Sequence, residues 1–271
     1  VVAISKVTHD IVKNVSPATD SRYLPHAVDP SFFKILEDEE ISILKEKSNF
    51  EKDKFVVFWN NRNARRKQPG TLIHWFKKFL DKVGHDKATL IMHTDPNDPN
   101  GPNLNSVIHN LNLTSGQIKF STNKLSFEQL AAVYNMADVT VNISDAEGFG
   151  LSTLESLSCG TPIVVNMTGG LQEQVTNGEE WFGVGIEPCS KCVIGSQDIP
   201  FIYEDRINED DFINALEKIY NMSHQERKEL GRKGRAHVEE NYNFAKYVVQ
   251  WNMILKEIHE KHGSWDTRKG Y

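Results

Sequence analysis

The sequence predicts an α/β fold: a doubly wound parallel sheet flanked by helices and followed by a helical C-terminus. Two observations lead to that class. Short apolar runs such as FVVFW at 55–59 are continuous rather than alternating, as in strands that are buried on both faces. Between these runs lie stretches with apolar residues at helical spacing, and strand and helix alternate about five times. Such alternation implies parallel strands that are joined by right-handed crossovers.

The elements follow one another in a regular order from residue 55. Helices are expected from Pro69, over 104–113, after Ser126 and over 150–158, and Gln129 completes a capping box with Ser126. In sheets of this kind ligands bind at the carboxyl ends of the strands, so the functional loops should be those that follow strands. The predicted strands are 55–59, 88–93, 117–120, 139–143 and 162–166.

The two ends of the chain differ from this middle part. Residues 1–30 predict a strand, a short helix at 9–15 and the extended segment YLPHAVD, which are too few to bury a core of their own. The last sixty residues predict helices throughout, and Ser223 with Glu226 forms a second capping box. These C-terminal helices are expected at 209–221, 223–240 and 244–261.

Composition and charge exclude several classes of protein. The chain has 271 residues, of which 39% are hydrophobic and 25% charged, and its net charge is −6. This mildly acidic balance argues against a protein that coats nucleic acid. No stretch approaches the roughly 18 apolar residues that span a bilayer. The start of the chain lacks the pattern of a signal peptide, so a cytoplasmic location is expected.

Neither a disulfide framework nor a metal site is predicted. The chain has three cysteines, Cys159, Cys189 and Cys192, and the CxxC spacing of the last two has no second pair of ligands to complete a zinc site. We therefore expect two cysteines in a loop. The acidic residues at 95–98 and 209–211 indicate a turn and a helix start, and His26 and His93 are interpreted as structural.

The segment from Ser144 to Glu155, SDAEGFGLSTLE, follows a strand and opens a helix. Its glycines permit a tight turn, and free N–H groups at the helix N-terminus favour a phosphate. Glu147 and Glu155 stand roughly 9–12 Å apart along the helix, and both carboxylates could accept hydrogen bonds from hydroxyl groups. On spacing alone, a glycine-containing helix cap with two surface glutamates explains the segment equally well.

A basic loop, NNRNARRK at 60–67, comes directly after the first strong strand. Its arginines and lysine suit bidentate and point-charge contacts to phosphate. Most charge runs are simply solvated loops, but this loop leaves the same sheet edge as the glycine segment, and that convergence favours a functional site. No GxGxxG follows the first strand, and GxxxxGK[ST] and GxSxG are absent, which excludes the common dinucleotide, P-loop and hydrolase motifs.

Several spaced motifs together resemble a known family. EGFGLSTLE resembles the E-x7-E signature of family-4 type retaining glycosyltransferases, which have the two-domain GT-B fold, and NRNARRK resembles their phosphate-binding segment. The helix after Ser126, the strand in CGTPIVV, and Thr168-Gly169-Gly170 followed by Glu173-Gln174-Val175 are also similar and occur in the same order. The resemblance runs from about residue 23 to about residue 251.

The resemblance implies roles for individual residues. Glu147 would contact hydroxyls of the donor sugar, and Glu155 would contact the ribose. Arg62 and Lys67 would neutralise the diphosphate, although Arg65 or Arg66 could take the place of Lys67. The implied donor site is completed by the backbone of Gly148, Phe149, Gly150 and Leu151 and, beside the base, by Lys124 and Leu125 in the loop 121–125.

The resemblance also implies a fold and a reaction. The chain would be the Rossmann-like C-terminal half of a GT-B fold, with 1–30 as the end of an N-terminal acceptor domain and its linker. Residues 31–243 would bind the nucleotide sugar, and 244–271 would pack back on the missing domain, leaving Val248, Trp251 and Ile254 partly exposed. The reaction would be retaining transfer from a GDP- or UDP-sugar, with GDP-mannose favoured, in glycan biosynthesis.

The partners expected on this basis are a nucleotide sugar and a glycan or other acceptor, which the missing N-terminal domain would bind. That domain would be required for activity and would carry any peripheral membrane contact. Neither metal nor cofactor is implied. The alternatives are a non-catalytic nucleotide-sugar-binding module, a GT-B sugar-nucleotide epimerase or phosphorylase, and a generic Rossmann domain.

Overall fold

The computed structural model describes residues 1–48, 54–264 and 266–267. The strands are β1 (Val2–Ala3), β2 (Arg22–Tyr23), β3 (Phe55–Asn60), β4 (Ala88–His93), β5 (Ile118–Ser121), β6 (Val139–Asn142), β7 (Ile163–Asn166), β8 (Gly183–Ile186), β9 (Ser190–Val193) and β10 (Tyr203–Arg206). The helices are α1 (Lys6–Val15), α2 (Asp38–Lys47), α3 (Pro69–Val83), α4 (Leu104–Asn110), α5 (Phe127–Met136), α6 (Leu151–Ser158), α7 (Leu171–Val175), α8 (Glu209–Tyr220), α9 (His224–Asn241) and α10 (Phe244–His262).

A six-stranded parallel sheet forms the centre of the molecule, with the strand order β5-β4-β3-β6-β7-β8. The chain builds the sheet outward from β3 to β5 and then crosses back to place β6 on the other side of β3. The strand order therefore reverses between β3 and β6, which is the switch point where doubly wound sheets leave a crevice. This topology confirms the fold class that the alternation of strands and helices predicts.

The apolar core lies on both faces of the sheet. Phe55, Val57 and Trp59 of β3 pack in one buried cluster with side chains of α3 and α8. Val56 and Phe58, which alternate with them, pack in the second cluster with side chains of α5 and α6. Because successive residues of a strand point to opposite faces, a strand that is covered on both sides needs an uninterrupted apolar sequence. This requirement explains the run FVVFW.

The helix ends carry the capping residues that the sequence indicates. Ser126 and Gln129 form the capping box of α5, and Ser223 and Glu226 form that of α9. Pro69 occupies the first position of α3, where its missing N–H costs nothing. The predicted bounds of these helices agree with the structure to within a residue or two, whereas α4 ends at Asn110 rather than 113.

Part of the second half of the sheet was not predicted. Gly183-Val184-Gly185, which shows no helical pattern, belongs to the edge strand β8. The prediction that Cys189 and Cys192 lie in a loop is wrong for Cys192, which lies in β9, where it pairs antiparallel with β10. Both cysteines are free. The short helices α2 and α7 were also missed.

The N-terminal segment lies on the C-terminal part of the domain. β1 pairs in parallel with β2, and α1 begins at Lys6, three residues before the predicted start. The backbone N–H of Lys6 donates to Glu173, and Arg22 forms an ion pair with Glu257 of α10 at 2.5 Å.

The helix α10 presents apolar side chains to the solvent, but not the predicted set. Val248 is exposed, whereas Trp251 is half-buried and Ile254 is buried, so the expectation of an exposed Ile254 is wrong. The remaining exposed apolar side chains of this helix are Val249, Met253, Leu255 and Ile258. Among the described residues, none of the helices combines the length and apolar character needed to cross a membrane.

Candidate functional site

A cavity lies at the carboxyl edge of the sheet, where β3 and β6 separate at the switch point. β3 ends at Asn60 and leads into the basic loop, and β6 leads through the glycine segment into α6. The cavity has a volume of about 250 Å³ and is lined by Asn60, Asn61, Lys67, Glu147, Gly150, Leu151, Ser152 and Glu155. Its place at the reversal of the strand order is the usual ligand position in such folds.

The basic loop is held in place by its backbone and by one buried amide. The buried Asn63 donates from Nδ2 to the carbonyl oxygen of Pro102 at 2.9 Å. A short 3-10 turn, Arg65–Lys67, follows, and the backbone N–H of Asp145 donates to the carbonyl oxygen of Arg66 at 2.8 Å. The basic loop and the glycine segment are therefore joined by main-chain contact.

The four cations of the basic loop do not all point to the cavity. Arg62 pairs with Asp98 at 2.6 Å, and Arg65 pairs with Glu204 at 2.5 Å, both away from the cavity lining. Arg66 donates to the carbonyl oxygen of Ala146 at 2.6 Å and lies 3.8 Å from the carboxylate of Glu147. Lys67 forms an ion pair with Glu147, and among the four it is the cation that lines the cavity.

The pair of Lys67 and Glu147 is largely removed from water. The side chains are 10% and 11% exposed. Burial lowers the pKa of Lys67, and the neighbouring carboxylate of Glu147 opposes that shift. A buried ammonium needs such a partner to stay charged. The pair therefore places one cation and one anion side by side in the lining of the cavity.

Glycines shape the turn that carries Glu147. Gly150 has φ 92°, and a Cβ there would lie 2.5 Å from the side chain of Leu171. A Cβ on Gly169, which has φ 51°, would lie 1.6 Å from the carbonyl oxygen of Glu147, and one on Gly170 would lie 2.7 Å from Cα of Phe149. The Thr168-Gly169-Gly170 turn can pack against the glycine segment because it has no side chains at these two points.

The first turn of α6 leaves donors beside the cavity. The first helical hydrogen bond runs from Leu154 N–H to the carbonyl oxygen of Gly150 at 3.3 Å, so the N–H groups at 151–153 precede the helical ladder. Gly150, Leu151 and Ser152 line the cavity. Free N–H groups and the positive end of a helix dipole together favour an anion.

Glu155 lies one turn further along α6 and also lines the cavity. Its Oε2 accepts a hydrogen bond from the hydroxyl of Tyr134 at 2.7 Å, and that hydroxyl accepts one from Nδ2 of Asn60 at 2.9 Å. Burial raises the pKa of Glu155 to about 7, and the hydrogen bond from Tyr134 acts in the lowering direction. The carboxyl group can therefore change its charge near neutral pH.

A network of buried ion pairs holds the glycine segment in place. The buried Asp145 accepts from Gln68 at 2.5 Å and pairs with Arg206 at 2.8 Å. Glu204, which is also buried, pairs with Arg65 and with Arg206. These ion pairs connect the basic loop and the glycine segment to the β9–β10 hairpin.

The predicted site residues fall into two groups. The structure brings Lys67, Glu147, Gly150, Leu151 and Glu155 together around the cavity, with Arg66 beside Glu147. The other predicted residues do not line it. Arg62 is turned towards Asp98, Gly148 is exposed, Phe149 is buried under the segment, and Lys124 and Leu125 follow β5 further along the sheet edge.

Sequence reasoning missed four residues of the site, Asn60, Asn61, Ser152 and Tyr134. The two asparagines come directly after the predicted strand 55–59, so the rule that functional loops follow strands could have found them. Tyr134 gives no such signal, because it is a buried residue of α5 and its hydroxyl meets Glu155 only where the fold brings α5 and α6 together.

A second cavity, of about 230 Å³, lies at the opposite edge of the sheet, where α2 and α9 cover the starts of β6 and β7. Its cations are already compensated, since Arg227 pairs with Asp138 at 3.2 Å and Lys228 with Asp38 at 2.7 Å. Arg232, which also lines it, pairs with Glu229 at 3.5 Å. In residues 1–48, 54–264 and 266–267, no group of three or more His, Cys, Asp or Glu side chains is placed to hold a metal ion.

Comparison with known proteins identifies the class. A family model described as "Glycosyl transferases group 1" matches residues 40–237, so the chain belongs to the group 1 glycosyltransferase family. It is similar to the trehalose synthase of Pyrococcus horikoshii, with 23% identity over 246 residues, which cover 87% of this chain and 52% of that protein. It is also similar to the alpha-monoglucosyldiacylglycerol synthase of Acholeplasma laidlawii, with 30% identity over 130 residues, which cover 47% of this chain and 30% of that protein.

Solved structures confirm the GT-B relationship of the fold. The sucrose-phosphate synthase of Thermosynechococcus elongatus superposes with a TM-score of 0.76 at 22% identity, covering 96% of this chain and 58% of that one. HepE of Anabaena, solved in complex with UDP-glucose, superposes with a TM-score of 0.72 at 16% identity, covering 94% and 63%. The chain spans about half the length of the trehalose synthase that it matches.

Proposed function

We propose that the carboxyl-edge cavity binds a nucleotide-sugar donor and that the domain serves retaining glycosyl transfer. The observation that carries this proposal is the convergence of three features on one cavity. The ion pair of Lys67 and Glu147, the open first turn of α6 and the carboxyl group of Glu155 all line it. Cationic, N–H and carboxyl groups match the three parts of such a donor: a diphosphate, a sugar and a ribose.

In this proposal the diphosphate lies over the first turn of α6. The N–H groups of Gly150 and Leu151 and the ammonium of Lys67 surround its oxygens. Breaking the bond between sugar and diphosphate builds negative charge on the leaving group, and fixed dipoles with a nearby cation stabilise that charge as it forms. Lys67 and the helix N-terminus supply this stabilisation from the protein's own groups.

The carboxyl groups bind the hydroxyl-bearing parts of the donor. As a phosphate oxygen takes up hydrogen bonds from Lys67, the carboxylate of Glu147 becomes free to accept from hydroxyls of the sugar. Glu155 accepts from the ribose. Arg66 stands beside Glu147 and can add a second positive charge, whereas Arg62 must first leave Asp98 to reach the ligand.

Two sugar nucleotides are the candidate donors. The sequence favours GDP-mannose, and the similar structure of HepE contains UDP-glucose. Lys124 and Leu125, in the loop after β5, are proposed to border the base. Transfer to an acceptor requires a surface that closes over the cavity, which we assign to an N-terminal domain of the GT-B type.

Calorimetric titration with GDP, UDP, GDP-mannose and UDP-glucose tests the proposal, each measured with and without magnesium. We expect one nucleotide series to bind without metal, and binding to weaken about tenfold or more in Lys67→Ala and in Glu155→Ala. A loss of affinity in Arg62→Ala would show that Arg62 leaves Asp98 and contacts the ligand. Lys78→Ala is the matched control, because Lys78 is an exposed lysine on α3.

Three results would count against the proposal. They are the absence of binding in all four titrations, an equal loss in Lys67→Ala and Lys78→Ala, and binding that depends on magnesium. A further titration in the presence of an N-terminal domain separates a transferase from a binding module. Turnover supports the transferase, and tight binding without turnover supports the module.

A further inference from the structure

A chain of two hydrogen bonds runs behind the cavity and joins three elements at the switch point. Nδ2 of Asn60, the last residue of β3, donates to the hydroxyl of Tyr134 on α5 at 2.9 Å. The same hydroxyl donates to Oε2 of Glu155 on α6 at 2.7 Å. The single proton of a tyrosine hydroxyl can serve one acceptor, and the direction is set because the amide of Asn60 is itself the donor.

Tyr134 is held rigidly and does not reach the cavity. Its side chain is completely buried, and its ring packs edge-on against Phe58 with centroids 5.0 Å apart. Its carbonyl oxygen also accepts a hydrogen bond from the hydroxyl of Thr161 at 2.7 Å. Asn60 and Glu155 line the cavity, whereas Tyr134 is outside the lining. Any effect of the Tyr134 hydroxyl on a ligand must therefore pass through the two lining residues that it contacts, Glu155 and Asn60.

We propose that Tyr134 is a positioning residue that, backed by Asn60, fixes one oxygen of Glu155 and holds this carboxyl group in the ionised form that accepts a hydrogen bond from a ligand hydroxyl. The idea deepens the proposed function, because the ribose of the donor is the hydroxyl-bearing group assigned to Glu155. The other oxygen, Oε1, is left for the ligand.

The sign of the effect follows from the groups that face Glu155. Tyr134 on α5 donates to the carboxylate, and Cys159, the residue that caps the C-terminus of α6, also interacts with it. Lys67 from the basic loop and Glu147 from the glycine segment line the same cavity. Burial raises the pKa of Glu155 to about 7 and the hydroxyl of Tyr134 opposes that rise, so removal of the hydroxyl must raise the pKa further.

Carbon-13 NMR titration of the glutamate carboxyl groups tests the proposal on the ligand-free protein, with Glu155 assigned by comparison with Glu155→Gln. We expect the midpoint of Glu155 to rise by about one pH unit in Tyr134→Phe, since a hydrogen bond to a charged group is lost. Tyr242→Phe is the matched control. It removes another buried tyrosine hydroxyl, one that donates to the carbonyl oxygen of Glu173, and should leave the midpoint unchanged.

An unmoved or lower midpoint in Tyr134→Phe overturns the proposal. Thermal unfolding of both phenylalanine variants checks that each is folded. If Tyr134→Phe does not fold, Asn60→Ala is the variant that tests the proposal. It keeps the tyrosine and removes only the amide that donates to the tyrosine hydroxyl. That variant should raise the midpoint in the same direction by a smaller amount, and no rise would again overturn the proposal.

Ligand binding supplies the second readout, with UDP-glucose and GDP-mannose as probes. Their diphosphate groups carry no proton that titrates between pH 6 and 9. For a midpoint that moves from about 7 to about 8, the ionised fraction at pH 7 falls about fivefold, so Tyr134→Phe should bind about fivefold more weakly at pH 7. At pH 9 it should bind within twofold of the wild type.

The two experiments separate the possible failures. A wild-type chain that binds neither sugar nucleotide contradicts the proposed function, while the NMR titration still decides on Tyr134. A wild type that binds, together with a Tyr134→Phe variant whose affinity is equally low at pH 7 and pH 9, contradicts the positioning role alone. Recovery at high pH is a result that a purely structural defect would not produce.

Discussion

At the scale of single residues, the direction in which a cationic side chain points decides whether it can contact the ligand. Four cations stand within six positions of the basic loop, and the fold sends three of them to Asp98, to Glu204 and to a backbone carbonyl. Lys67 lines the cavity because the 3-10 turn Arg65–Lys67 rotates it towards Glu147. Spacing along the sequence indicates a phosphate-binding loop, but it cannot select the cation that faces the ligand.

The raised pKa of Glu155 predicts how stability changes with pH. A carboxyl group whose pKa rises from 4.5 to about 7 on folding is more easily protonated in the folded state. The stability that it contributes is fully present below pH 4.5 and is lost as the pH rises through 7. The shift corresponds to about 3 kcal/mol at full ionisation.

Glu155→Gln should therefore gain stability relative to the wild type as the pH rises, because glutamine has no charge to bury. The measurement is urea-induced unfolding of both proteins at pH 5 and pH 8. We expect the difference in free energy of unfolding to move in favour of the variant by about 1–3 kcal/mol between the two values. A difference that is independent of pH would mean that Glu155 ionises as an ordinary surface carboxyl.

At the scale of elements, glycines determine how closely the loops of the site can approach. Gly169→Ala would place a Cβ 1.6 Å from the carbonyl oxygen of Glu147, so the turn and the glycine segment must separate. Gly178→Ala is the matched control, because Gly178 also has a positive φ, 97°, and nothing lies within 4 Å of its added Cβ. Only the first substitution combines a strained backbone with a clash.

Urea-induced unfolding should show a loss of about 1 kcal/mol for Gly178→Ala and of about 3 kcal/mol or more for Gly169→Ala. Gly169→Ala should also weaken nucleotide binding, since Glu147 and the start of α6 move together. Equal losses in the two variants would show that the contact between the two loops does not position the site.

Most elements could be predicted from the sequence because their signals are local. The continuous apolar runs and the capping boxes of α5 and α9 depend only on neighbouring residues. α2 was missed because this mostly charged helix has few apolar residues and buries none of them completely, so its helical pattern is weak. β8 was missed because its glycines weaken the apolar pattern of a strand. The reason for a glycine at 183 lies in the neighbouring strand β7: a Cβ there would lie 1.9 Å from the carbonyl oxygen of Ile163.

The site could be predicted to the level of loops but not of contacts. Glu147, Glu155 and the start of α6 follow from the order strand, glycine segment, helix. The two hydrogen bonds that link Asn60, Tyr134 and Glu155 join residues that are far apart in sequence. The network in which Arg206 pairs with Asp145 and Glu204 also connects separate parts of the sequence. Such partners depend on how three elements meet and have no local pattern.

At the scale of the whole molecule, one edge of the sheet gathers the candidate chemistry. The basic loop, the glycine segment and the β9–β10 hairpin all meet at the carboxyl edge. At the opposite edge, the cations Arg227, Lys228 and Arg232 that line the second cavity pair with Asp138, Asp38 and Glu229. Membership of the group 1 glycosyltransferase family agrees with this division, and the chain covers about half of the trehalose synthase that it matches.

The central claim is that the carboxyl-edge cavity is a nucleotide-sugar site, and a crystal structure of the chain soaked with the nucleotide that binds best tests it most directly. We predict the diphosphate over the first turn of α6, within hydrogen-bond distance of the N–H groups of Gly150 and Leu151 and of Nζ of Lys67, with the ribose at Glu155. A nucleotide bound in the opposite cavity, or one whose phosphates lie away from α6, would contradict the claim.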